Sequence, residues 1–458
     1  MKNILIIAYY YPPKGGAGVQ RTTKFANYLS KMGYNVNILT VKEDSKGILD
    51  KSLNKDIYEK ISVYRSDIKE VDIISKFSKV LNNGNKNNKK EVKNQNNNKD
   101  KKHLSTSIKG KLKDSIKNIG KNVFLKGYNL VYMPDDKKGW IDFAVEEGKK
   151  IIREKEIEII FTTSGPYSSH LIGYELAKEL EVKWITDFRD PWVENPFVNT
   201  GILVESIYKR FESKIIKRAD KVISVSQPII DSFIKRYKTE DINKFHVITN
   251  GYDEMDFQGL DFSLSENNEK FLILYNGTLY GKRSPENILI SIDTLIENNE
   301  IDKDKIQIKF QGQIGNEHIE IVKYYMNKYP QIVKHENYVP HDESLKELSK
   351  ANALLLIIDE GIGSEGIFTG KIFEYIRTGK PILGIIPDGV AKKLILETNT
   401  GYTAHPSKQI EIQKIILALY LDFIRKTSSI SPKWEKIKEY SRENLTKQLI
   451  SVMSEMKD

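Results

Sequence analysis

Five short loops carry most of the residues in this chain that could do chemistry. The first is Tyr9-Tyr10-Tyr11-Pro12-Pro13-Lys14-Gly15-Gly16-Ala17-Gly18-Val19-Gln20-Arg21, which follows an apolar run and opens a helix near Gly18. Glycines at 15, 16 and 18 let the backbone come close to a ligand, and free amides at a helix start favour an anion such as phosphate. A dinucleotide-binding fingerprint is the rival reading. Gly16-Ala17-Gly18 supplies its G-x-G, but Arg21 stands where the third glycine belongs and Tyr-Pro-Pro lengthens the turn. The second loop, Tyr275-Asn276-Gly277-Thr278-Leu279-Tyr280-Gly281-Lys282-Arg283, repeats the design with two cations added. A guanidinium suits a diphosphate because it donates two parallel hydrogen bonds. The third loop runs from Gly361 through Gly366 to Gly370-Lys371-Ile372-Phe373-Glu374. Lys371 and Glu374, three apart, share one side of a helix start. The amides there suit phosphate, and the carboxylate one turn in suits a ribose diol. A dipole-favoured helix-start carboxylate is the plain alternative for Glu374.

Thr163 to His170 and Thr186-Asp187-Phe188-Arg189-Asp190-Pro191-Trp192 are the remaining two loops, each after an apolar run. They offer His170, Asp187, Arg189 and Asp190 as acid, base or hydrogen-bonding groups. The plain alternatives are a cap-region histidine and a local Arg189–Asp190 ion pair beside a helix-breaking proline.

These loops need strands and helices to position them. Apolar β-type runs at 3–9, 35–41, 157–162, 183–187, 221–226 and 245–248 predict one parallel sheet. Runs at 271–276, 306–311, 353–358 and 381–386 predict a second. Helical periodicity fills the gaps at 166–180 and 202–218, then near 285–299, 316–329, 370–378 and 389–398. Ligands in such sheets bind at the carboxyl ends of the strands, so the loops of one half should line one cleft. Asn250-Gly251-Tyr252-Asp253 and the polar stretch to Asn268 read as a linker. Residues from Pro432 to Met456 read as one or two amphipathic helices. Domain bounds follow at 1–255, 269–430 and 431–458.

Composition narrows the function. The 458 residues include no cysteine, which removes disulfides, zinc thiolates and a cysteine nucleophile. The first apolar run is too short for a signal peptide, and no run approaches the roughly 20 residues of a membrane span. A cytoplasmic chain, at most peripheral on the inner membrane face, is therefore expected. Net charge is +10, and residues 82–126 alone hold thirteen lysines against Glu91, Asp100 and Asp114, so the rest of the chain is neutral. Charge confined to one insert argues against nucleic acid as a partner. Within it, 82–102 is rich in Asn and Lys and predicts a disordered loop. Leu104, Ile108, Leu112, Ile116, Ile119 and Val123 then predict a basic amphipathic helix over 104–126. That helix would lie either on an anionic membrane or on the protein's own apolar surface. No histidine and carboxylate cluster has metal-ligand spacing, and Asp135-Asp136 alone is weak, so no metal is expected.

Taken together, the loops resemble the retaining glycosyltransferase family 4 of the GT-B superfamily, in its bacterial surface-polysaccharide form. YYYPPKGGAGVQ at 9–20 with Arg21, TSGPYSSH at 163–170, DFRDPW at 187–192, NGYD at 250–253, GTLYGKRSPE at 277–286 and KIFEYIRTGKPIL at 371–383 carry the resemblance. It implies an α/β GT-B fold with two Rossmann-like domains facing a cleft and a last helix that crosses back to the first domain. The acceptor, lipid-linked or a glycan, would bind the first domain and a nucleotide sugar the second. UDP is the leading nucleotide and GDP the alternative, with no other cofactor. By motif, Lys282 or Arg283 and Lys371 would hold the diphosphate, with Gly277 and Gly370 beside them and Gly16 closing from the opposite domain. Glu374 would hold the ribose as the second of the family's paired glutamates. Gly366 stands where the first belongs, with Glu365 adjacent, and no histidine lies at 187–190 where the family's catalytic histidine region maps. Two other functions fit parts of the sequence: a nucleotide-sugar epimerase on the same fold, and a basic adaptor that would use only 82–126.

Overall fold

The computed structural model describes residues 2–15, 17–42, 57–69, 133–195, 201–263, 268–361 and 363–456. The expected disordered insert at 82–102, the expected basic helix at 104–126 and the phosphate-loop residue Gly16 lie outside the described residues.

Seven strands form the first sheet: β1 (Asn3–Ile7), β2 (Asn35–Val41), β3 (Ser62–Ser66), β4 (Ile159–Thr163), β5 (Lys183–Phe188), β6 (Lys221–Ser224) and β7 (Phe245–Val247). They are parallel throughout, in the order β3-β2-β1-β4-β5-β6-β7. Helices α1 (Ala17–Lys31), α2 (Ile141–Glu154), α3 (Ser168–Leu180), α4 (Ile202–Arg218) and α5 (Gln227–Arg236) belong to this half. The second sheet is also parallel, with β8 (Phe271–Asn276), β9 (Ile306–Gln311), β10 (Val333–Glu336), β11 (Ala353–Ile357), β12 (Ile382–Ile385) and β13 (Gly401–Ala404) in the order β10-β9-β8-β11-β12-β13. Its helices are α6 (Glu286–Glu297), α7 (Asn316–Lys328), α8 (His341–Lys350), α9 (Gly370–Thr378), α10 (Val390–Thr398) and α11 (Gln409–Arg425). Two more follow, α12 (Trp434–Lys438) and α13 (Arg442–Ser454).

The innermost strands are buried on both faces because helices cover each side of the sheet. Every residue of β4 and of β11 is buried. The sequence pattern misses β3, β10 and β13, which are three of the four edge strands. Their sequences, SVYRS, VKHE and GYTA, carry polar residues that an edge tolerates and a centre does not.

The last helix closes the architecture. Leu445, Leu449, Val452 and Met453 of α13 enter the same cluster as Ile4, Ile6, Phe25 and Leu29 of the first half. Each such side chain contributes about 1.5–3 kcal/mol on full burial. The fold is thus the expected α/β pair of Rossmann-like units with a terminal helix returning to the first.

The linker reading of 250–268 needs correction. Tyr252 and Phe257 are buried, and Gly251 lies so close to the α12–α13 turn that a Cβ there would meet Tyr440 O at 2.1 Å. Tyr252 N donates to Tyr440 O (3.2 Å), and Arg442 N donates to Tyr252 O (2.7 Å). Asp253 accepts from Tyr28 (2.7 Å) and pairs with Lys24 (2.7 Å), both on α1, while Glu254 pairs with Arg377 on α9 (2.7 Å). The start of the segment is clamped to both halves because its charges find partners on each.

Candidate functional site

Strand order reverses between β1 and β4 in the first sheet and between β8 and β11 in the second. Ligands in open α/β sheets settle at such reversals, outside the carboxyl ends of the strands. The loops that follow these four strands contain the glycine loop after β1, the Ser164–Tyr167 turn, the Gly277–Pro285 loop and the approach to α9. The halves meet at the same level. A Cβ on Gly366 would lie 3.4 Å from Pro228 Cβ and 3.6 Å from Ser226 Oγ, just beyond β6.

In the second half, Gly277 leaves β8 with φ 134°, a conformation in which a side chain is strained. A Cβ there would lie 2.5 Å from Lys371 Nζ. The missing side chain lets that ammonium rest 4.0 Å from the centre of the Tyr275 ring, with no carboxylate paired to it among the described residues. Held out of water and near the Arg283 charge, with Glu374 opposing, Lys371 has its pKa pushed down to about 7. Thr369 caps α9 without a side-chain hydrogen bond, which leaves the amides of the first turn without that partner beside Lys371. Arg283 is largely buried, stacks 4.7 Å from the Tyr280 ring centre and lies 3.3 Å from Asp359 Oδ1. That contact lacks hydrogen-bond geometry, and both Arg283 Nε and Asp359 Oδ1 remain without a partner. Lys282 and Gly370 are exposed at the rim. The loop is braced by α7: Gly281 N donates to Glu317 (2.5 Å), and His318 Nε2 meets Gly281 O at 3.0 Å.

Glu374, one turn into α9, is a quarter exposed and bonded through Oε1 to His341 Nε2 (2.9 Å). That bond raises the His341 pKa above 6.5. The next residue, Tyr375, is buried, and its hydroxyl accepts from Asn276 N (3.2 Å), which ties α9 to the end of β8. Lys371, Arg283 and Glu374 are therefore brought to one place: two cations and a helix start, with a carboxylate one turn away.

The first half looks different. Arg21 and Asp187 form a bidentate pair, at 2.9 and 2.8 Å, with 1% and 0% of their side chains exposed. Arg21 also donates to Ile248 O (2.8 Å) and Thr249 O (2.6 Å), and Asp187 accepts from Thr163 (2.8 Å). His170 is fully buried. Thr162 Oγ1 accepts from Trp184 Nε1 (3.0 Å) and also shares a hydrogen bond with His170 Nδ1 (2.8 Å), an imidazole whose Nε2 has no partner. Burial pushes its pKa down to about 3. Asp187 and His170 thus face the interior, while Arg189 is half-buried and Asp190 exposed at the rim. Arg189 donates to Gly18 O (2.8 Å), which fixes the start of α1 against the β5 loop. Gly15 sits half-buried in the loop before it.

Sequence reasoning missed His341, which follows an edge strand and has no motif around it. It set Asp135 aside, yet this half-buried carboxylate accepts from Ser168 N (2.8 Å) and Ser168 Oγ (2.6 Å) at the start of α3. Arg442 was passed over too, although it occupies a helical position in register with Leu445, Leu449 and Val452 on the apolar stripe of α13.

The model of Glycosyltransferase Family 4 matches residues 117–255, which include the DFRDPW and NGYD loops. No curated protein matches the chain. Among solved structures, a glycosyltransferase from Rickettsia africae ESF-5 is 16% identical, with 99% of this chain and 98% of that one covered and a TM-score of 0.60. HepE from Anabaena, solved in complex with UDP and glucose, is 11% identical over 100% of both chains, with a TM-score of 0.59. WaaG, a glycosyltransferase involved in lipopolysaccharide biosynthesis, is 13% identical over 98% of this chain and 99% of that one, with a TM-score of 0.51. At such identities the likeness is one of fold, and that fold is GT-B.

Proposed function

We propose that this protein is a retaining glycosyltransferase that moves a sugar from a nucleoside-diphosphate donor, UDP first and GDP second, to a lipid-linked or glycan acceptor of the cell surface. The observation that carries the proposal is the uncompensated Lys371 ammonium between the end of β8 and the start of α9, with Arg283 beside it. A diphosphate is the ligand whose charge and size match two cations and a helix start. The match to Glycosyltransferase Family 4 and the UDP and glucose held by HepE support the same reading.

In this mechanism the bond from the anomeric carbon to the β-phosphate oxygen breaks as the acceptor hydroxyl oxygen bonds to that carbon. Negative charge builds on the leaving diphosphate, where Lys371, Arg283 and the α9 amides stabilise it. The acceptor proton passes to the departing phosphate oxygen on the same face of the sugar, so configuration is retained. Glu374, steadied by His341, takes the ribose diol. Arg189 and Asp190 line the acceptor side. Asp187 and His170 position that side from within, Asp187 by locking Arg21 and His170 by packing under the β5 loop. Lys371, Arg283 and the amides supply the charge that a metal supplies in other sites, so turnover should survive chelation. No described helix is long and apolar enough to cross a membrane. The basic segment 104–126 is the proposed contact with an anionic membrane that presents the acceptor.

A thermal-shift panel of nucleoside diphosphates and nucleotide sugars on wild type and Arg283→Ala tests the donor site. A ligand that binds only the folded state raises its melting temperature by mass action. UDP or GDP should raise that of wild type and leave the variant little changed. Stabilisation by NAD alone would refute the proposal.

A further inference from the structure

Arg442 opens α13, the helix that returns to the first half. It is 7% exposed, its Nη1 has no partner, and its guanidinium makes no hydrogen bond among the described residues. The two carboxylates that act on it, Asp253 and Asp256, already pair with Lys24 (2.7 and 3.0 Å). Burial first, then the charges of Arg21 and Arg189, lower the pKa of Arg442 to about 9 against the opposing pull of Asp253 and Asp256. Thr249, whose carbonyl takes Arg21, adds a second buried polar atom without a partner in its Oγ1. A buried guanidinium without a hydrogen-bond acceptor is costly unless an anion arrives to meet it.

We propose that Arg442, together with Arg189 of the β5 loop, forms an anion site for a phosphate group of a substrate on the first half of the molecule. Such a site would make the crossing helix part of the binding surface as well as a structural tie. Two sources supply that chemistry: the diphosphate of the donor reaching across from the second half, and a phosphate borne by the acceptor. The choice between them rests on the glycosyltransferase reading, whereas the site itself rests on the unmet guanidinium.

The test is a comparison of melting temperatures for wild type, Arg442→Met, Arg442→Gln and Lys371→Ala, each alone, with UDP, and with farnesyl phosphate. Without ligand, Arg442→Met should melt above wild type, because an unmet buried charge is gone. At least one probe should stabilise wild type and bind Arg442→Met and Arg442→Gln tenfold or more weakly. Loss of the UDP response identifies the donor diphosphate as the anion, and loss of the farnesyl phosphate response alone identifies the acceptor. If UDP stabilises nothing while farnesyl phosphate stabilises wild type and Lys371→Ala but not the Arg442 variants, the donor reading fails and the anion site stands. An Arg442→Met protein that melts below wild type, or Arg442 variants that answer both probes as wild type does, would assign Arg442 a purely structural role.

Discussion

Arg21 and Lys371 each follow a glycine loop at the head of a sheet, and they stand in opposite electrostatic states. Arg21 has a bidentate carboxylate and two carbonyls, all within 2.9 Å. Lys371 has an aromatic ring, a glycine backbone and a repelling arginine. A cation whose donors are all satisfied inside the protein holds shape, because nothing is left for a ligand to gain. A cation kept short of partners stores the difference until an anion comes. The first half therefore shows a finished network around Asp187, and the second an unfinished one around the β8–α9 junction.

The sharpest way to break this comparison is to remove one member of the finished network. Arg21→Ala leaves Asp187 buried without its cation and should cost about 3–5 kcal/mol in chemical denaturation. A loss below 1 kcal/mol would mean that the pair is not structural. Lys371→Ala should behave in the opposite manner: unchanged or raised stability, with kcat for sugar transfer about 10²–10³-fold lower. Steady-state assays beside melting curves read both sides. Gly277→Ala should lie between them, losing about 1–3 kcal/mol from backbone strain and weakening donor binding by pushing Lys371 aside. The smallest effect belongs to His341. Its pKa is raised first by the hydrogen bond to Glu374, so NMR should find it titrating above 6.5 in wild type and closer to 6.5 in Glu374→Gln. The pair's contribution to stability is full below pH 6.5 and fades as pH rises through the raised value. With His341 nearly half exposed, it should stay under about 1 kcal/mol.

Much of this was legible in the sequence. The helix over 370–378 and the three-residue spacing of Lys371 and Glu374 need only local pattern, and α9 spans Gly370–Thr378 as read. Innermost strands such as β1 and β11 were legible because burial on both faces leaves unbroken apolar runs. Edge strands break that rule, so β10 went unseen, and with it the connection that delivers His341 to Glu374. The interior roles of His170 and Asp187 were hidden for another reason. A histidine in a polar loop motif reads the same whether its ring faces a cleft or Thr162 and Phe188, and only the packing of α3 on the sheet decides. Arg442 left a trace, a charge on the apolar stripe of a helix, but the partners that make it unusual come from residues 21, 189 and 253.

The central claim is that Lys371 waits, partly deprotonated, for a diphosphate. Calorimetric titration of UDP at pH 8, in buffers of different ionisation enthalpy, tests it directly. With a free pKa of about 7, Lys371 is mostly neutral at that pH and must regain its proton against the diphosphate. Binding should therefore take up close to one proton per UDP in wild type and none in Lys371→Ala. UDP binding with no proton uptake, or with equal uptake in both proteins, would contradict the account.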